Sequence, residues 1–206
     1  MCKGVEATSI LRMRLMLIAD SHGREMSDLV TGTYKGWSVF SVIVGQKTSA
    51  IRACYESRVS AAVLFQPDYV LLHCGHNDVV YHPRYTREPQ HIKHFFPDIL
   101  DFLQLLATNH PQARVIYFSL LPRGVGPHMG KEEKDKYNKL ACRFGVRATT
   151  SCNHAGFEVL QNFCMWKSVR KSTEDTTLLD EGGLHLCALG KRALIDFWIS
   201  AISNDY

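Results

Sequence analysis

Seven cysteines stand at positions 2, 54, 74, 142, 152, 164 and 187, and no two of them form a Cys-x-x-Cys pair. An odd set without paired spacing excludes a disulfide framework and fits reduced thiols in a reducing compartment. The opening residues, Met1-Cys2-Lys3-Gly4-Val5-Glu6, lack the apolar core of a secretory signal. No apolar run reaches the roughly 20 residues that a membrane-spanning helix needs. Internal repeats, low-complexity tracts and linkers are also missing, so no domain boundary is visible. Neither sign of charge dominates: a net charge of +4 permits weak contact with RNA or an anionic membrane surface, and solubility alone explains it equally well. These absences predict a single soluble domain over 1–206, placed in the cytoplasm. What is present is ordinary globular material, 46% hydrophobic and 21% charged, in a chain long enough to bury a sizeable core.

The hydrophobic pattern alternates between strand and helix. Strands are predicted at 13–18, 39–44, 69–74 and 115–120, with a short fifth at 157–160. Helices are predicted at 24–30, ended by a turn at Gly32, and at 48–64, 92–109, 131–148 and 187–202. The segment 76–90 reads as polar loop, the loop through Gly130 as glycine-rich, and 162–177 shows no period. Such alternation implies a parallel sheet of five strands covered by helices on both faces. Right-handed crossovers then gather every strand-to-helix loop on one edge of that sheet, where open α/β proteins hold their ligands.

Three of those loops carry unusual polar residues. Asp20-Ser21-His22-Gly23 follows the first strand, Gly45 follows the second, and Gly75-His76-Asn77-Asp78 follows the third. A fourth segment, Asp180-Glu181-Gly182-Gly183-Leu184-His185-Leu186, precedes the last helix. Acyl transfer at a serine needs a nucleophile, a base and donors aimed at the developing oxyanion. Ser21 can supply the first and His185 the second. The backbone N–H groups of Ser21 and Gly45 and the side-chain amide of Asn77 can supply the donors, the amide without titrating. Each residue also has a plainer reading: Ser21 and Asp20 as turn and helix cap, Asn77-Asp78 as a cap, His185 as a histidine beside the core. His73, His76, His91 and His94, with Cys74, match no zinc spacing, and no metal or cofactor is expected. Lys131-Glu132-Glu133-Lys134-Asp135-Lys136 reads as a solvated helix face. Lys167, Arg170 and Lys171, near Trp166, read as a surface loop.

Ser21, Gly45, Asn77 and His185, in this order and these surroundings, resemble the SGNH (GDSL-type) hydrolase family. Ala19-Asp20-Ser21 is similar to its first block, usually Gly-Asp-Ser; Gly75-His76-Asn77-Asp78 matches its Gly-x-Asn-Asp block; Gly183-Leu184-His185-Leu186, with Gly190 opening the final helix, resembles its last block. The resemblance implies a three-layer α/β/α flavodoxin-like fold and a cofactor-free serine esterase. Small acyl esters, acetyl above all, or lipids are the implied substrates. The Ala-Asp-Ser-His-Gly-Arg opening further resembles esterase-like domains in first open-reading-frame proteins of vertebrate LINE-type retrotransposons, which implies self-association and RNA binding through other regions. One departure stands out. The family carries an aspartate three residues before the histidine, and here that position is Gly182. Either a carbonyl near Gly182 accepts the imidazole N–H, leaving a Ser–His dyad, or Asp180 or Glu181 folds back as a displaced carboxylate. The alternative function is an SGNH-like domain with weak or no catalysis that serves as an RNA-binding or interaction module.

Overall fold

The apolar run at the start of the chain becomes strand β1 (Met13–Ala19), and alternate residues of it point to opposite sides. Met16 and Ile18 enter one core while Leu15, Leu17 and Ala19 enter the other. A computed structural model of the protein describes residues 12–80, 92–124, 130–162, 178–183 and 185–203. The strands are β1, β2 (Trp37–Ile43), β3 (Tyr69–His73), β4 (Arg114–Phe118) and β5 (Glu158–Leu160). The helices are α1 (Met26–Thr33), α2 (Thr48–Glu56), α3 (Val59–Phe65), α4 (His76–Val80), α5 (Ile92–Asn109), α6 (Lys131–His154) and α7 (Ala188–Ser203). The sheet order is β2-β1-β3-β4-β5 and every pairing is parallel. This is the flavodoxin-like order, in which the chain reverses direction across the sheet between β1 and β3.

The two cores correspond to the two faces of the sheet. Residues of α2, α5 and α6, including Ile51, Tyr55, Phe102, Leu106 and Phe144, cover one face. Met26 and Val30 of α1, with Leu194, Trp198 and Ile202 of α7, cover the other. The three layers follow from the alternation in the strands and the helical stripes. Polar ties fix the lower edge: the Asp68 carboxylate accepts the Arg14 N–H at 2.7 Å and its Nη2 at 3.0 Å. Arg114 bridges β4 to β5 through both oxygens of Glu158, at 2.7 and 2.8 Å. No helix among the described residues is long and apolar enough to cross a membrane. Cys54, Cys74, Cys142, Cys152 and Cys187 are free thiols.

Several predicted bounds change. The helix expected over 48–64 is two helices, because Ser57 turns its hydroxyl onto the Cys54 carbonyl at 2.7 Å and Arg58 N–H bonds Tyr55 in a tighter turn. The first helix does not end at Gly32 but runs through it to Thr33, and its start is delayed by a 3-10 turn at Ser21–Gly23. Residues 76–80, read as loop, form α4. The helix expected to stop at 148 continues to His154, since Cys152 is still buried on its apolar side. Pro97 lies early in α5 without ending it. Residues 81–91 and 163–177 fall outside the described residues, and with them the expectations for His91, Lys167, Arg170 and Lys171.

Two glycines respond oppositely to a methyl group. At Gly190, in the first turn of α7, a Cβ would overlap the Leu178 carbonyl oxygen. At Gly32 it would meet nothing within 4 Å. Gly190→Ala should therefore lower the urea unfolding free energy by about 3 kcal/mol, an overpacking cost against backbone. Gly32→Ala should be neutral or stabilise by less than about 1 kcal/mol through helix propensity. Equal effects at both sites would contradict the close approach at Gly190.

Candidate active site

Four loops meet at the carboxyl edge of the sheet. Ser21 opens the 3-10 turn directly after β1, and Asp20 caps that turn by accepting the His22 N–H at 3.1 Å. Gly23 must lack a side chain because its Cβ would lie 2.5 Å from that of Ala19. The loop after β2 passes beside the serine: a Cβ built on Gly45 would sit 3.6 Å from the Ser21 Cβ. Asn77, in α4, donates its amide to the Gln46 carbonyl at 3.1 Å, which places it against the same loop.

His185 arrives on a tight hairpin. Leu179 and Leu186 pair as an isolated antiparallel bridge, and the Asp180 N–H bonds the His185 carbonyl at 2.8 Å. Gly183 docks this hairpin on the loop after β4 by accepting the Gly124 N–H at 2.8 Å. The His185 ring centroid then lies 5.2 Å from that of His22, the residue next to Ser21. The loops that carry Ser21, Gly45 and Asn77 thus adjoin one another, and the His185 hairpin reaches the same turn through His22.

Beneath them is a buried charge network that the sequence left without a role. Asp20 is fully buried, with one carboxylate oxygen 2.8 Å from His22 Nδ1 and the other 2.7 Å from His76 Nδ1. The Leu121 N–H points at the other His76 nitrogen, Nε2, at 2.8 Å. A backbone N–H can only donate, so Nε2 accepts and the proton of the neutral ring sits on Nδ1, donated to Asp20. Burial raises the Asp20 pKa, but the His76 and His22 rings overcome it and hold the carboxyl well below the usual range. Burial holds His76 well below the usual histidine value, consistent with a neutral ring.

Asp20, His22, His73 and His76 each offer a ligand-type atom within 4.8 Å of the others. The donor chemistry does not suit a cation. His76 spends its only lone pair on Leu121, and its Nδ1 carries a proton. The cluster is a hydrogen-bonded network linking the first and third loops to the loop after β4. His73 anchors it from below, donating Nδ1–H to the Phe118 carbonyl at 3.2 Å, with its buried Nε2 lacking a hydrogen-bond partner.

Asp78 also has a definite task. Its carboxylate accepts both the N–H and the hydroxyl of Thr48, at 2.9 and 2.7 Å, capping α2 rather than its own helix. This ties the Gly45–Lys47 loop to the Asn77 helix. Gly75 allows the turn between them, at φ +113, a conformation that favours glycine.

Gly182 provides no carboxylate, and its neighbour does. The Asp180 Oδ1 lies 3.3 Å from the place a Gly182 Cβ would occupy. The same oxygen accepts the His185 N–H at 3.3 Å. Glu181 is exposed. Burial lowers the pKa of His185, with the His22 ring and Arg123 lowering it further while Asp180 and Asp20 oppose them. The imidazole is therefore neutral at neutral pH, the form a general base requires.

No protein-family model and no curated protein sequence matches the chain. Solved structures do match its fold. A GDSL-like lipase from Bacteroides thetaiotaomicron VPI-5482 superposes with a TM-score of 0.67 at 17% identity, over 95% of this chain and 90% of that one. An acetylxylan esterase from Geobacillus stearothermophilus, as a catalytic mutant that replaces a serine, gives 0.69 at 15% identity over 93% and 94%. Another catalytic mutant of that esterase replaces an aspartate. The chain thus has the α/β fold of GDSL-type hydrolases.

The buried histidines make stability pH-dependent. Burial pushes His73 down to about 4, so between about pH 6.5, the unfolded value, and pH 4 the unfolded chain binds the extra proton. Stability is complete above pH 6.5 and is lost as pH falls through that window, by about 3 kcal/mol from His73 alone. His76, shifted in the same direction, adds to the loss. Urea unfolding across this range should show the decline; a flat profile would contradict neutral burial of the two rings.

Proposed function

We propose that the protein is a serine esterase acting on small acyl esters, acetyl esters first among them, without a cofactor. What supports this reading is that the Gly45 loop passes beside Ser21, that Asn77 bonds that loop, and that the His185 ring lies 5.2 Å from that of His22, next to Ser21. Ser21 Oγ attacks the ester carbonyl as His185 takes its proton. The carbonyl electrons move to the oxygen, where the Ser21 and Gly45 N–H groups and the Asn77 amide receive them. Neither N–H donates to a backbone carbonyl among the described residues, and Asn77 spends only one amide hydrogen on Gln46. The intermediate collapses, the bond to the alcohol oxygen breaks, and His185 returns the proton to the leaving alcohol. Water then repeats the sequence on the acyl-serine and releases the acid.

Asp180 is our candidate for the displaced carboxylate. Its oxygen beside Gly182 is placed to fix the His185 hairpin, and its charge favours the imidazolium formed during each proton transfer. The carbonyl-assisted dyad needs no such carboxylate, so one substitution separates the two readings.

Purified protein should hydrolyse p-nitrophenyl acetate in the presence of a chelator, and Ser21→Ala should reduce kcat by about 10³-fold or more. Ester turnover unchanged by Ser21→Ala would remove the esterase reading. Asp180→Asn should lower kcat by about 10-fold or more with a smaller change in KM. Because Asp180 raises the His185 pKa, its loss should also move the acid limb of kcat/KM to lower pH. A normal pH profile and kcat in Asp180→Asn would return the role to a backbone carbonyl.

A further inference from the structure

Resting on the esterase reading of the crevice, we propose that its ester substrate carries an anionic group, held by Arg24 and Lys47 beside the oxyanion donors. Arg24 follows the Ser21–Gly23 turn and is exposed. Its Nη2 lies 3.3 Å from the place a Gly45 Cβ would occupy, and that place is 3.6 Å from the Ser21 Cβ. The guanidinium therefore stands over the backbone of the second oxyanion donor, on the nucleophile's side. The neighbouring acid is committed elsewhere: Glu25 pairs with Lys191 at 2.7 Å. Arg24 has no ion pair among the described residues.

Lys47 approaches from the same loop, two residues beyond Gly45. It is exposed and lines a cavity of about 450 Å³ with Gln46, Ser49, Ala50 and Asn77. None of these lining residues is acidic. Asp78 is the acid adjoining this wall, and it is buried beneath with one oxygen taken by both Thr48 donors. Lys47, like Arg24, is unpaired among the described residues. On the far side, Arg123 lies 4.5 Å over the Tyr137 ring, and its buried Nε has no hydrogen-bond partner. Beside His185, Asp180 bonds the hairpin backbone.

An unpaired ammonium lining this cavity and an unpaired guanidinium beside Gly45, two residues away in the same loop, set up a positive potential next to the proposed oxyanion donors. Arginine and lysine together suit a phosphate or a carboxylate, through directed donors and a mobile point charge respectively. The cavity has room for a group of glycerol phosphate size. Charge attraction acts on binding before it acts on the reacting carbonyl, so the preference belongs mainly in KM.

Three primary-alcohol acetates of similar intrinsic reactivity test this: 1-acetylglycerol, 3-O-acetylglycerate and 1-acetylglycerol 3-phosphate. At low ionic strength the anionic esters should show kcat/KM about tenfold above the neutral one. The ratio should shrink at about 0.5 M salt, where exposed charges are screened. Arg24→Gln combined with Lys47→Gln should bring the ratio close to one. The two anionic esters distinguish phosphate from carboxylate recognition, and a preference for either supports the proposal. Calorimetric binding of the same three compounds to Ser21→Ala protein needs no turnover and should give the same order. A neutral ester handled as well as the anionic ones, in both turnover and binding, overturns it. Anion binding that depends on Arg24 and Lys47, without hydrolysis of any ester, keeps the anion site and rejects the esterase reading instead.

Discussion

A carboxylate that never meets water holds the crevice in shape. Asp20 leaves β1 and takes N–H groups from two imidazoles, one beside it in the turn and one from the loop after β3. Through His76 the tie continues to the Leu121 backbone beyond β4. Desolvating a carboxylate costs several kcal/mol unless its lone pairs are used, so the three loops are bound into one arrangement that satisfies it. Loosening any one of them exposes the charge to an unpaired, low-dielectric setting. The rigidity of the crevice edge comes from that penalty as much as from packing.

The architecture was largely legible in the residue pattern because buried parallel strands are continuous apolar runs and the covering helices keep their period. All five strands are found within two residues of the predicted ends. What escaped depended on tertiary partners. The break between α2 and α3 turns on one serine hydroxyl choosing a backbone carbonyl. Residues 76–80 carry too few turns to show a helical stripe. The residues proposed for chemistry were visible as polar interruptions after strands. The network below them was not, since nothing in the spacing of Asp20, His22 and His76 says that two rings share one carboxylate. Asp78 looked like a cap and is one, but for a helix that precedes it by 22 residues.

Gly182, where the resemblance leads one to expect an aspartate, lies beside a carboxylate that comes from two residues earlier. A glycine there leaves room for the Asp180 carboxylate to turn back along the hairpin. The Asp180 carboxylate accepts the His185 backbone N–H. It is fixed by the same two-residue bridge that fixes the histidine, Leu179 with Leu186. In the proposed mechanism, the backbone of this turn would share in orienting His185.

The serine and the histidine of this crevice are separated by most of the chain, and the helix after His185 packs through Leu194 and Trp198 on the face built by β1, β3 and β4. During synthesis Ser21, Gly45 and Asn77 emerge long before His185. The hairpin is seated on the loop after β4 through Gly183 and closed from the other side where Gly190 of α7 meets the Leu178 carbonyl. On the proposed mechanism, completion of the sheet's last covering helix and assembly of the Ser21–His185 pair would coincide, so that chemistry would wait for the fold to close.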